Sequence, residues 1–93
     1  LDASFALPYL NIANIEIQRK NIPEAIKNFE RALGVKPDMP AIHLKLGMVY
    51  HQLQRNTKKA LLHLKESLRI DPKQQKEEAI RSLIQELGKK QTT

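Results

Sequence analysis

His43, His51 and His63 are the side chains of this sequence best suited to moving a proton or holding a metal ion. None of them stands in a His-Glu-x-x-His pattern or at another metal-ligand spacing, so they read as structural residues. Glu16 lies near Asn14, but nearness alone does not make an acid–base pair. The three glycines are scattered at 34, 47 and 88, which rules out a glycine-rich phosphate loop. Cysteine is absent, and with it disulfides, thiolate metal sites and thiol nucleophiles. The expectation is a chain that is not an enzyme, with no catalytic residue, no metal and no cofactor.

Positive charge offers a different chemistry. Of the formal net charge of +6, most falls within residues 40–74, where seven Lys or Arg face only Glu66 and Asp71. Lys58, Lys65, Arg69 and Lys73 recur at steps of seven, four and four, which aligns them on one face of a helix. With Arg55 they make a basic face over residues 55–73 that could dock an acidic protein, an anionic lipid surface or nucleic acid. A solvated outer face is the simpler reading of the same charges. Single-strand binding also wants exposed rings for stacking. Tyr9, Phe29 and Tyr50 fall on core positions and only Phe5 is left free, which disfavours nucleic acid.

The elements that would position these residues follow from length and periodicity. A chain of 93 residues with 41% hydrophobic content makes one small module of modest stability. No apolar run is long enough to span a membrane. No basic-then-apolar leader opens the sequence, so the compartment stays open with the cytoplasm as the default. Residues 25–37, AIKNFERALGVKP, lie over residues 60–72, ALLHLKESLRIDP, at an offset of 35. Such a period means stacked supersecondary units, none of which can bury its apolar face alone. The opening Leu1-Asp2-Ala3 resembles the Ile-Asp-Pro at 70–72, so residues 1–5 read as the end of a preceding repeat. A cut there would expose apolar surface, and self-association through that N-terminal edge is an expectation.

Helices are predicted at about residues 5–19, 22–34, 39–54, 57–70 and 74–88. Ile42, Leu46, Val49, Tyr50 and Leu53 form the buried stripe of the third. Asp38 is the expected N-cap of that helix, with Pro40 in its first turn. Asn21, Pro23 and Glu24 repeat the signal with a capping box, and Gly34 is read as a stop. Ala79, Ile80, Leu83, Ile84 and Leu87 give the fifth helix one apolar side, which suits a capping helix at 75–88. Residues 89–93, KKQTT, read as a flexible tail.

Residues 40–72, through Leu46, Gly47, Tyr50, Ala60, Leu64, Ser67 and Pro72, resemble the tetratricopeptide motif. Residues 6–37 are similar through Tyr9, Ile12, Ala13, Ala25, Phe29, Ala32 and Pro37. His43 and Glu16 stand where the motif has aromatics, and Lys20 where it commonly has a turn glycine. The second copy also carries an extra residue between its helices, in QLQRNTKK. The resemblance implies an all-α, right-handed α-solenoid of antiparallel helix pairs. Its units would be 6–39 and 40–74.

The same resemblance implies a concave groove lined by the first helix of each pair, holding a peptide or a helix of a protein partner within a longer scaffold. Positions matching the groove pattern are Leu10, Asn11, Asn14, Ile17 and Gln18, then Ala41, Leu44, Lys45, Met48, His51 and Gln52. Asn11 and Asn14 carry both donor and acceptor and could pair with a peptide backbone of any sequence. Leu10, Leu44 and Met48 would add apolar contact, and Met adapts its shape. Some members of the family clamp acidic C-termini with Lys, Asn and Arg. Here Asn14 or Asn11 and Lys45 match part of that clamp, but Leu10 or Ala41 fills its other positions, so a complete clamp is not expected.

Overall fold

The computed structural model describes residues 3–91. A short 3₁₀ helix, Ala3–Phe5, leads into five α-helices: α1 (Leu7–Gln18), α2 (Ile22–Val35), α3 (Pro40–Gln52), α4 (Thr57–Ile70) and α5 (Glu77–Gln91). Among the described residues there is no strand. α1 packs along α2 and α3 along α4, whereas α2 meets α3 over a much smaller contact and α5 lies against α4. The molecule is therefore an α-solenoid of helix pairs, 38 × 29 × 19 Å. The opening that reads as the tail of an earlier repeat includes Leu1 and Asp2, which lie outside the described residues, as do Thr92 and Thr93.

Small residues set how closely the helices of a pair approach. Ala13, Ala25, Ala32, Ala60 and Ser67 have no exposed surface. A Cβ added to Gly47 would stand 2.7 Å from Leu64 Cδ2 and 3.3 Å from the backbone nitrogen of Leu64, so only hydrogen fits at the α3–α4 crossing. Around these contacts Phe29, Ile42, Leu46, Leu64 and Leu87 are buried almost completely. Fully burying one such side chain contributes about 1.5–3 kcal/mol. Buried polar groups are paired: Ser67 Oγ donates to Pro40 O at 2.8 Å, tying the end of α4 to the start of α3, and Asn28 Nδ2 donates to Glu24 O at 2.9 Å.

Helix ends depart from the sequence expectations. The N-cap of α3 is Met39, without a side-chain cap bond, because the Asp38 carboxylate is taken by Lys36 Nζ at 3.1 Å. That ion pair holds the Asp38 carboxyl below the usual range. Asn21 precedes α2, yet its side chain donates backwards to Glu16 Oε2 at 2.8 Å, and Glu24 pairs with Lys27, so no capping box forms. The side-chain cap that does form is Asn56 Oδ1, which accepts from Lys59 N at 3.1 Å at the start of α4.

Gly34 does not stop α2, which runs on to Val35, and no glycine among the described residues has a positive φ. Leu53 is 50% exposed instead of joining the stripe, since α3 ends at Gln52 and the chain turns away. α5 starts at Glu77, later than expected, and continues past Gly88 to Gln91. Lys89 and Lys90 are therefore helical where the sequence suggests a flexible tail. Cations in that last turn suit the negative end of the helix dipole.

Candidate protein-binding groove

α1, α3 and α5 share one side of the stack and enclose a hollow of about 490 Å³. Of the groove positions read from the sequence, Asn14, Ile17, Ala41, Leu44, Lys45 and Met48 line it. Phe29 and Val49 form its floor, reaching in from the core. Leu44, Met48 and Ile17 are half-buried and rest on that core, so their outer surfaces are presented by a rigid base. The polar lining is an amide and ammonium groups: Lys45 Nζ lies 3.4 Å from Asn14 Oδ1 at the mouth, and Lys76 stands on the α5 side. Among the described residues, no carboxylate lines the hollow.

The remaining groove positions lie elsewhere. Asn11 and Gln18 are on α1 and do not reach the hollow, and Leu10 packs against the core cluster. His51 and Gln52 line a separate hollow of about 300 Å³ with Arg55, Thr57, Leu87 and Lys90. Conversely, Lys76, Ala79, Ile80 and Leu83 line the main hollow although the groove pattern does not include them. The apolar stripe of α5 is visible in the sequence, but nothing in its spacing says that part of that stripe faces α3 across open space.

Residues 13–54 match the family model of the TPR repeat, from the middle of α1 to just beyond α3. The chain belongs to the tetratricopeptide-repeat family. Over 69 residues, 74% of its length, it is 30% identical to the protein CTR9 homolog of Arabidopsis thaliana. It spans 6% of the length of that curated relative.

The departures of this tetratricopeptide-repeat chain from its motif are accommodated locally. Glu16, in place of an aromatic, closes the α1–α2 turn: its carboxylate accepts from Asn21 and Arg19, and its carbonyl accepts from Asn21 N at 2.8 Å. Lys20, in place of a turn glycine, has φ 63°, and Arg55 in the α3–α4 turn has φ 51°. Both sit in the left-handed region that disfavours a residue with a Cβ. Lys20 and Arg55 are equivalent positions, each just ahead of the Asn that opens the next helix. Asn21 N bonds to Glu16 O five residues back and Asn56 N to Tyr50 O six residues back, so the extra residue of the α3–α4 turn lies before Arg55.

His43 fills the other aromatic position and is buried. Its Nε2 lies 2.9 Å from Pro37 O, which can only accept, so Nε2 carries a hydrogen. The Nδ1 atoms of His43 and His63 then meet at 3.0 Å and share a single hydrogen, donated by His63 when both rings are neutral. His63 also stacks on Tyr50 at 5.8 Å, with Lys59 Nζ over the outer part of that ring and Glu30 accepting from the Tyr50 hydroxyl. Burial, and after it the neighbouring His43, lowers the His63 pKa, with Glu30 and Glu66 opposing and Lys59 adding to the effect.

A histidine held neutral by folding binds its proton later than the unfolded chain does. Stability is then full above the unfolded histidine value, near about 6.5, and falls as pH drops below it. Urea unfolding between about pH 7.5 and about pH 5, a span that brackets this value, should show the loss. This group alone accounts for no more than about 1.4 kcal/mol per pH unit. His63→Phe should flatten the slope. An unchanged slope would assign it to other residues.

The basic face is divided by the fold. Lys58, Lys65 and Arg69 lie on α4, but Arg55 precedes it and Lys73 follows its end at Ile70. Asp71 caps the helix through its backbone N–H to Ser67 O, and Pro72 cannot continue it, so Lys73 leaves the expected alignment. Among the described residues, no group of three or more His, Cys, Asp or Glu is placed to hold a metal ion. No described helix is long and apolar enough to cross a membrane.

Proposed function

We propose that the hollow between α1, α3 and α5 receives an apolar side chain from a peptide or helix of a partner protein. The observation that carries this reading is the convergence of three helices on one apolar recess whose polar lining is Asn14, Lys45 and Lys76. Family membership makes protein interaction the class of function, and a scaffold needs no catalytic group. Ile17, Leu44, Met48 and Leu83 would bury the anchor, and Met48 would adjust to its shape. Lys45 and Lys76 would favour a partner with carboxylates beside that anchor.

A photoreactive residue in place of Ala41 tests the reading in extracts of the native source. It should cross-link to a partner that is not captured when the same residue replaces Arg31 on the exposed side of α2. Lys45→Glu with Met48→Ala should then reduce capture about tenfold, the loss of roughly one charged and one apolar contact. Equal labelling from Ala41 and Arg31 would sink the proposal. The work belongs at concentrations where light scattering reports a monomer, because Phe5, Leu7, Ile12 and Ile15 leave an apolar edge at the start of the stack that could pair two copies.

A further inference from the structure

A second recess, which shares no residue with the groove, runs along α4. Lys65, Leu68, Arg69, Arg81 and Ile84 line a hollow of about 630 Å³ between α4 and α5. Lys58, Leu61, Leu62, Lys65 and Arg69 line a neighbouring one of about 510 Å³. Lys65 and Arg69 belong to both, so the two form one trough along α4. From Lys58 to Arg69 it covers three helical turns, about 17 Å. Its floor is apolar, with Leu61 and Leu68 nearly buried, while Leu62 on its flank is 61% exposed.

The cations along this trough are unevenly satisfied. Arg69 pairs with Glu66 and Arg81 with Glu77. Lys58 and Lys65 have no carboxylate partner among the described residues. An apolar floor beneath unpaired ammonium groups is complementary to a ligand that brings leucine-like side chains with carboxylates beside them.

We infer that this outer trough is a second docking surface, and that its occupant is an acidic amphipathic helix of a partner protein. A helix matches the geometry because its own side chains repeat every three or four residues, in step with Lys58, Leu62, Lys65 and Arg69. Nucleic acid matches poorly, since no aromatic ring among the described residues lines the trough and the Glu66 carboxylate sits among its cations. A flat anionic bilayer would touch Leu62 and the ammonium groups but not Leu61 and Leu68, which lie below the rim.

The test uses methyl-labelled chain and four probes: a synthetic helical peptide with a leucine stripe flanked by glutamates, the same peptide with lysines for glutamates, a single-stranded oligodeoxynucleotide, and phosphatidylcholine–phosphatidylserine vesicles. The acidic peptide should bind and shift the methyl signals of Leu62, Leu68 and Ile84 while leaving those of Leu44 and Met48 in place. Lys58→Glu with Lys65→Glu, both exposed and outside the core, should weaken it by about tenfold. No binding of the acidic peptide, equal binding of its lysine counterpart, tighter binding of the oligonucleotide or the vesicles, or shifts confined to Leu44 and Met48 would each overturn the inference. Shifts of the last kind would leave the groove proposal standing, so the two surfaces are judged separately.

Discussion

Phe29→Ala should lower the free energy of unfolding by about 3–5 kcal/mol, the range for removing a fully buried ring. The side chain is 1% exposed and enters the core from α2 beneath the hollow that α1, α3 and α5 enclose. Its removal takes away apolar burial and opens a space onto the hollow that Ile17, Val49 and Ile80, on three different helices, line with it. Collapse would have to move all three. For a domain of this size such a loss is a large part of the total stability. Urea unfolding followed by helical circular dichroism measures it as a drop in midpoint without a change in slope. A loss below about 1 kcal/mol would mean that the neighbours close the gap, and the hollow should then shrink as well.

Gly47→Val should cost about 3 kcal/mol by the opposite route, overpacking. The Cβ alone would meet Leu64 Cδ2 at 2.7 Å and Leu64 Cγ at 2.8 Å, and Leu64 has no exposed surface into which to swing. The backbone nitrogen of Leu64 at 3.3 Å bars the other direction, so α4 must move away from α3. Gly47→Ala should be milder, because replacing glycine inside a helix returns about 1 kcal/mol of propensity that offsets part of the clash. The same unfolding measurement on both variants separates the two contributions. If Gly47→Ala were stabilising, the close approach of α3 and α4 would not be what selects glycine.

The stack is legible from local pattern, and its ends are not. Apolar stripes such as Ile42, Leu46, Val49 and Tyr50 follow from helical periodicity, and the small residues at 13, 25, 32, 60 and 67 are fully buried, while at 47 only hydrogen fits. Caps depend on competition among side chains that periodicity does not weigh. Lys36 draws Asp38 away from α3 and Glu16 draws Asn21 away from α2, while Asn56 meets no such rival and caps α4. Gly34 reads as a stop because a glycine within a helix and one just past its end look alike in sequence. In the groove, the resemblance to the repeat family points to Asn14, Ile17, Leu44 and Met48, which helical phase separates from the core stripe and which do line the recess. Lys76, Ala79 and Leu83 come into view only once the packing of α5 is fixed, since no repeat partner gives that helix a register.

The uneven contacts along the stack have a mechanical meaning. α1–α2 and α3–α4 are stiff blocks, each interlocked along its length, and they meet through the narrow joint of α2 against α3. A pull or a bend applied to such a chain is taken up first at its most compliant joint. That joint also sets the distance between α1 and α3, two walls of the recess at Leu44 and Met48. On the function proposed above, a bend at this joint would alter the width of the recess, and a partner side chain seated there would stiffen the joint in turn.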